Sequence, residues 1–306
     1  MIDEQSLIRW LKGADEIFEA LEGRGDAYNL CRRWVEEWFS CGKFSITDED
    51  RNFLKEFELL IFNERVKSKI ENNLAQLKEK LENHTEDIAF AFSLYLISWN
   101  IRRFETYFER NTDFSFEDFF VSLSEVFDKT FLNNVKELRK LHLFKNEVKD
   151  ELIADIYKKL EEKIKQIVST QNEPVATIKI MHIIAPYYIP LLDNPIAKAL
   201  KREKLCDFFN FIPPSRDFWK NLKRLKNGEL KLYEIKKIVK GMHDDLESVK
   251  LDIEAFLNYI KWIRKEFNKF KDVIYKIEKD TQKSFLKLLD QAFYIRYSID
   301  IGRRLK

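Results

Sequence analysis

Ten apolar residues near the C-terminal end follow one another at strictly alternating spacings of three and four. They are Leu246, Val249, Ile253, Phe256, Ile260, Ile263, Phe267, Phe270, Ile274 and Ile277. Only a helix places such a series on one face, so the pattern predicts five heptads in a helix about 50 Å long at roughly 1.5 Å rise per residue. Flanking positions hold Asp245 with Lys250 and Glu266 with Lys271, of the kind that pair across a coiled-coil seam. The stripe needs a covering partner. A second copy of the chain is one, although Phe at three core positions is bulky for a two-stranded seam. An antiparallel helix of the same chain is the other.

The segment 130–168 is the natural second helix, because Leu132, Val135, Leu138, Leu141, Phe144, Val148, Leu152, Ile156, Leu160 and Ile164 recur every three or four positions. It reads as one long helix or two nearly collinear ones. Shorter helices are predicted over 27–41, 48–62, 63–83, 86–110 and 116–128, with Thr47 and Ser115 as N-caps. Ile88 to Trp99 is too short for a bilayer, which takes about 18 apolar residues, so it reads as a buried core helix. No period-2 alternation stands out. Only 7 glycines and 6 prolines occur in 306 residues, too few for the many tight turns of a sandwich or barrel. The fold class is all-α, a multi-helix bundle with a long heptad-patterned helix near its C-terminal end.

Charge divides the chain unevenly. Residues 1–150 sum to −8 and residues 151–306 to +10, within a net charge of +2. Either two differently charged parts or two complementary halves account for the split. All six prolines, Pro174, Pro186, Pro190, Pro195, Pro213 and Pro214, fall where the sign changes. The organisation expected is an acidic helical part over 1–173, followed by an irregular junction and a basic helical part over 174–306. The start, MIDEQSLIRWLKG, is acidic and amphipathic rather than basic and then apolar, so no signal peptide is read and a cytoplasmic, non-membrane protein is expected. Cys31, Cys41 and Cys206 show no paired spacing and read as small buried hydrophobes. Abundant Lys and Glu with sparse Gln, Met and Cys suggest a thermophilic source.

Signatures of several chemistries are missing from the sequence. It contains no phosphate-cradling glycine loop, no HExxH and no GxSxG, and His84, His142, His182 and His243 are widely separated. No cofactor and no metal site is read. The informative segment runs from Ile178 to Ile196, nearly free of charge except for Lys179 and Asp193. An apolar setting disfavours the charged form of each unless the two pair, and an uncharged lysine beside a carboxylate is a nucleophile with a helper. The structural alternative has Lys179 reaching to the surface and Asp193 capping a helix that starts near Pro195. Over 198–240, thirteen Lys or Arg stand against five Asp or Glu, with Phe208, Phe209, Phe211, Phe218, Trp219 and Tyr233 among them. If 215–226 is helical, Arg216, Lys220, Lys223, Arg224 and Lys226 share adjacent turns, a pattern suited to phosphates and unpaired bases.

The spacing Lys179-x-x-His182-x-x-x-Pro186-x-x-x-Pro190-x-x-Asp193 resembles a segment in a loose group of uncharacterised helical proteins and, more distantly, the helix-hairpin-helix DNA glycosylases of the archaeal 8-oxoguanine type. That resemblance implies a nucleic-acid partner, with Lys179 as the nucleophile attacking the sugar and Asp193 as the assisting acid. It covers about 20 residues, and no Gly-x-Gly-type hairpin turn lies just upstream of Lys179. Beside it stands a different class, a non-enzymatic scaffold that forms homo-oligomers through the heptad helix.

Overall fold

The computed structural model of the chain describes residues 3–21, 27–61, 88–99, 121, 123–167, 173–193, 196–197 and 251–294. Among them every regular element is a helix. In chain order these are α1 (Glu4–Leu21), α2 (Tyr28–Cys41), α3 (Asp48–Ile61), α4 (Ile88–Trp99), α5 (Lys129–Arg139), α6 (Asp150–Ile167), α7 (Pro174–Ile184), α8 (Ile253–Phe267), α9 (Lys271–Thr281) and α10 (Phe285–Phe293). The all-α class holds. The proposed helix 63–83, the cap Ser115, the start of the heptad stripe at Leu246 and Val249, and the basic segment 198–240 lie outside the described residues.

Local chemistry sets the helix ends. At α3 the Asp50 N–H donates to Thr47 Oγ1 at 3.2 Å while the Thr47 N–H donates to Asp50 Oδ2 at 2.7 Å, a reciprocal capping box with Asp in the usual Glu place. Asp128, Asp252 and Ser284 cap α5, α8 and α10 by accepting from the N–H of Phe131, Ala255 and Lys287. Asp252 is extended, at φ −136° and ψ 179°, so the long helix starts at Ile253 and the register drawn from Leu246 does not run through unbroken. From there it continues to Thr281, tightened by one 3-10 turn at Asn268–Phe270.

By compactness the chain forms two interleaved units rather than parts separated by one cut. The first gathers α1, the loop His142–Val148 and the described residues from Pro186 onward. Within it α1 lies along α10, and both touch α9. Trp10 meets Phe293 edge-on at 6.2 Å, Phe18 meets Tyr294 at 5.7 Å, and Lys283 Nζ donates to Asp15 and Glu19 of α1 at 2.6 Å each. The turn at Pro186–Pro190 is stitched to the loop: the Leu143 N–H donates to the Tyr187 carbonyl at 3.0 Å, and Tyr188 Oη donates to the Glu147 carbonyl at 2.7 Å.

The second unit contains α2 to α7. α7 is its hub, packed against α2, α4 and α6. Every residue from Val175 to Ile184 is buried, as a helix apolar nearly all round must be. The proline-bearing stretch is therefore regular where it begins. Pro174 sits in the first turn of α7, where its missing N–H has no helical partner to lose. α4 is the buried core helix expected of Ile88–Trp99, with Ile88 to Ile97 no more than 7% exposed. The 130–168 periodicity resolves differently from its expectation. α5 and α6 are separate helices that pack on one another, with Asn134 Nδ2 donating to Asp155 Oδ2 at 2.7 Å, so they are not collinear. Cys31 is buried as expected, whereas Cys41 is exposed at the end of α2, its thiol directed at the Glu37 and Lys43 carbonyls.

Candidate functional site

Lys179 and His182 are three residues apart on α7 and so share a helix face. The opposing surface is built by Tyr28, the first residue of α2, and Tyr95, in the middle of α4. Tyr28 Oη and His182 Nε2 are hydrogen-bonded at 3.0 Å, and the two rings stack at 5.5 Å and 28°. Tyr28 also leans on Tyr95 at 5.8 Å, and Lys179 Nζ lies 5.9 Å above the Tyr95 ring centroid, within cation–π reach. His182 is fully buried, Tyr28 and Tyr95 nearly so, and Lys179 is 7% exposed. Four proton-carrying side chains thus converge inside the second unit. The phenol and imidazole can share a proton, and the amine is enclosed beside them.

Asp193 belongs to the other unit. Its Oδ1 accepts from the Ile196 N–H at 2.9 Å while its carbonyl accepts from the Ala197 N–H at 2.9 Å, the geometry of a helix N-cap. The structural alternative read from Asp193-Asn194-Pro195 is realised. For Lys179 the surface-reaching alternative is not favoured, since the residue is only 7% exposed. Arg216, Lys220, Lys223, Arg224 and Lys226 lie outside the described residues.

Two further arrangements escaped the sequence reading. In the first unit His142 Nδ1 accepts from the Phe144 N–H at 3.2 Å, which assigns the ring proton to Nε2 and makes it the donor to Glu278 Oε2 at 3.1 Å. The imidazole stacks on Tyr187 at 6.0 Å and meets Tyr275 edge-on at 5.1 Å. Burial, together with the nearby Glu278 and Asp272 carboxylates, pushes the Tyr275 phenol up from its ordinary value. Glu278 Oε1 also accepts from the Phe285 N–H at 2.8 Å, so this pair ties the His142 loop to the start of α10. The second is a row of exposed lysines on the outer side of α8 and the 3-10 turn: Lys261, Lys265 and Lys269, four residues apart. Successive members are separated by about 6 Å along a helix axis. The signal was present in the four-residue spacing, hidden beside the apolar stripe on the opposite face.

Among the described residues no group of three or more His, Cys, Asp or Glu is placed to hold a metal ion. No described helix is long and apolar enough to cross a membrane. Fold and site define an all-α chain of two interleaved helical units, with an enclosed Lys–His–Tyr cluster in one and an exposed lysine row in the other. Comparison with protein-family models, with curated proteins and with solved structures finds no match to this chain.

Proposed function

We propose that the protein binds nucleic acid, and that it does so without glycosylase chemistry. The observation that carries this reading is the row Lys261, Lys265 and Lys269, three exposed ammonium groups in line on a rigid helical support. Lysines presented in this way neutralise successive phosphates and release their counterions, the main source of sequence-independent affinity for nucleic acid. The stretch 198–240, with its surplus of eight basic residues and interleaved aromatics, adds to the same electrostatic term. Chemistry at Lys179 is disfavoured by the burial of the residue, which leaves little surface for a substrate as bulky as a nucleotide, and by the engagement of the Asp193 carboxylate in a helix cap.

The competing scaffold reading needs an apolar seam left open for a second chain. Phe256, Ile260, Ile263, Phe267, Phe270, Ile274 and Ile277 are all buried within the single chain, so that observation favours binding over assembly. A gel shift with duplex and single-stranded DNA across a salt series tests the proposal. Retardation at low salt that weakens steeply as salt rises is the expected result. Substituting Arg216, Lys220, Lys223, Arg224 and Lys226 together by Gln is expected to flatten that salt dependence. Absence of any retardation at low salt, where the electrostatic attraction is strongest, overturns it.

A further inference from the structure

We infer that the nucleic acid held by this row is single-stranded, with phosphates on Lys261, Lys265 and Lys269 and a base stacked at Trp262; this rests on the nucleic-acid reading above. Trp262 follows Lys261 directly and precedes Lys265 by three positions, so it stands on the flank of the lysine row rather than across the helix from it. Its indole is half-buried, not lost in the core. The buried Tyr259 ring stacks against it at 6.0 Å and 17°, and Phe267 meets it edge-on at 6.4 Å. Two aromatic supports therefore fix the plane of a partly exposed indole beside ammonium groups, which is the combination that stacks unpaired bases while tracking their backbone.

Geometry separates the two strand states. A duplex is stiff over about 150 base pairs, its backbone winds away from a straight row, and its bases are already stacked inward. It reaches such a row through few phosphates and offers nothing to Trp262. An unpaired strand is pliable enough to follow the row and has a free π-face at every base. Exposed Glu254 and Asp272 stand before and after the lysines, and half-buried Glu266 flanks them. The basic strip is therefore short, suited to a few nucleotides. Neither Lys265 nor Lys269 is paired with an acid among the described residues, and Lys269 Nζ lies 4.9 Å over the Phe270 ring.

Fluorescence anisotropy of the full chain with a labelled 20-mer of thymidylate and with a labelled 20-base-pair duplex tests the inference. The wild type is expected to bind the single strand at least about tenfold more tightly at equal salt. Trp262→Leu is expected to remove that preference, since stacking contributes roughly 5- to 150-fold per base. Trp262→Phe, which keeps a ring on Tyr259, is expected to retain most of it, so that loss in the Leu variant is not misread as misfolding. Lys265→Glu with Lys269→Glu is expected to weaken binding and reduce the salt slope by about 1.4 on the single strand. Equal affinity for duplex and single strand, or an unchanged preference in Trp262→Leu, overturns this inference and leaves the nucleic-acid reading standing. A wild type that binds neither probe at low salt brings down both.

Discussion

Buried polar side chains come in two kinds here, and they respond oppositely to removal. Tyr28 and His182 are deep in the second unit and bonded to each other at 3.0 Å, so deleting the Tyr28 hydroxyl strips a partner from a fully buried ring nitrogen. Tyr28→Phe is expected to destabilise the fold by about 1–2 kcal/mol, read from the urea midpoint. Gln291 on α10 is fully buried, and among the described residues neither its amide nitrogen nor its oxygen has a hydrogen-bond partner. Gln291→Met keeps similar volume and removes the unmet polar atoms, and is expected to stabilise by about 1 kcal/mol in the same assay. Equal destabilisation by both substitutions would contradict the distinction. Lys179 was legible in the sequence because it stands alone in an uncharged stretch. Tyr28 and Tyr95 were not, because they meet α7 across 84 or more residues of chain, and local spacing carries no information about such pairings. The one local hint was a tyrosine within the mainly apolar Ile88–Trp99.

Helix boundaries were legible where a side chain sets them and illegible where a loop does. Thr47 was readable as a cap because the hydroxyl and the acidic residues after it satisfy orphan N–H groups that any helix start must satisfy. The break between α5 and α6 has neither Gly nor Pro to announce it. It is made by Asn146, whose Oδ1 accepts from the His142 N–H at 2.8 Å, and by the Lys145 and Asn146 N–H groups closing on the His142 carbonyl. Apolar periodicity reports a face but not a direction, so two packed helices read as one. The α3 cap also makes a pH prediction. Burial pushes the Asp50 carboxyl up, but hydrogen bonds from Arg33 and Thr47 more than offset this and hold it below its ordinary value. A carboxyl depressed on folding contributes stability above its unfolded value of about 3.9, and that contribution disappears as pH falls through the lower folded value. Asp50→Asn is therefore expected to lower the urea midpoint at pH 7, with a narrower gap to the wild type at pH 3. A gap that stays constant between the two pH values would show that the pairing contributes nothing through ionisation.

For the whole molecule the open question is whether the long helix assembles chains or completes one. A three–four stripe is the same sequence signal in either case, because the hydrophobic effect rewards covering apolar area whatever covers it. What decides is whether the area is already covered. From Phe256 to Ile277 the stripe residues are at most 6% exposed in the isolated chain, and among the described residues Val121 is the only large hydrophobic side chain that is exposed. An obligate dimer needs a substantial apolar interface, on the order of 2,000 Å² or more, and this stripe offers no such area. With a net charge of only +2, long-range repulsion does little to hold chains apart, so the oligomeric state rests on the apolar surface. Light scattering through a dilution series is expected to give a constant mass near 36.9 kDa at every concentration. A mass that doubles on concentration and is abolished by Glu at exposed Lys261 or Lys265 would place a chain–chain interface on the lysine face. A doubling that survives those changes would mean that a surface outside the described residues carries the contact, and would restore the scaffold reading as the better account of the protein.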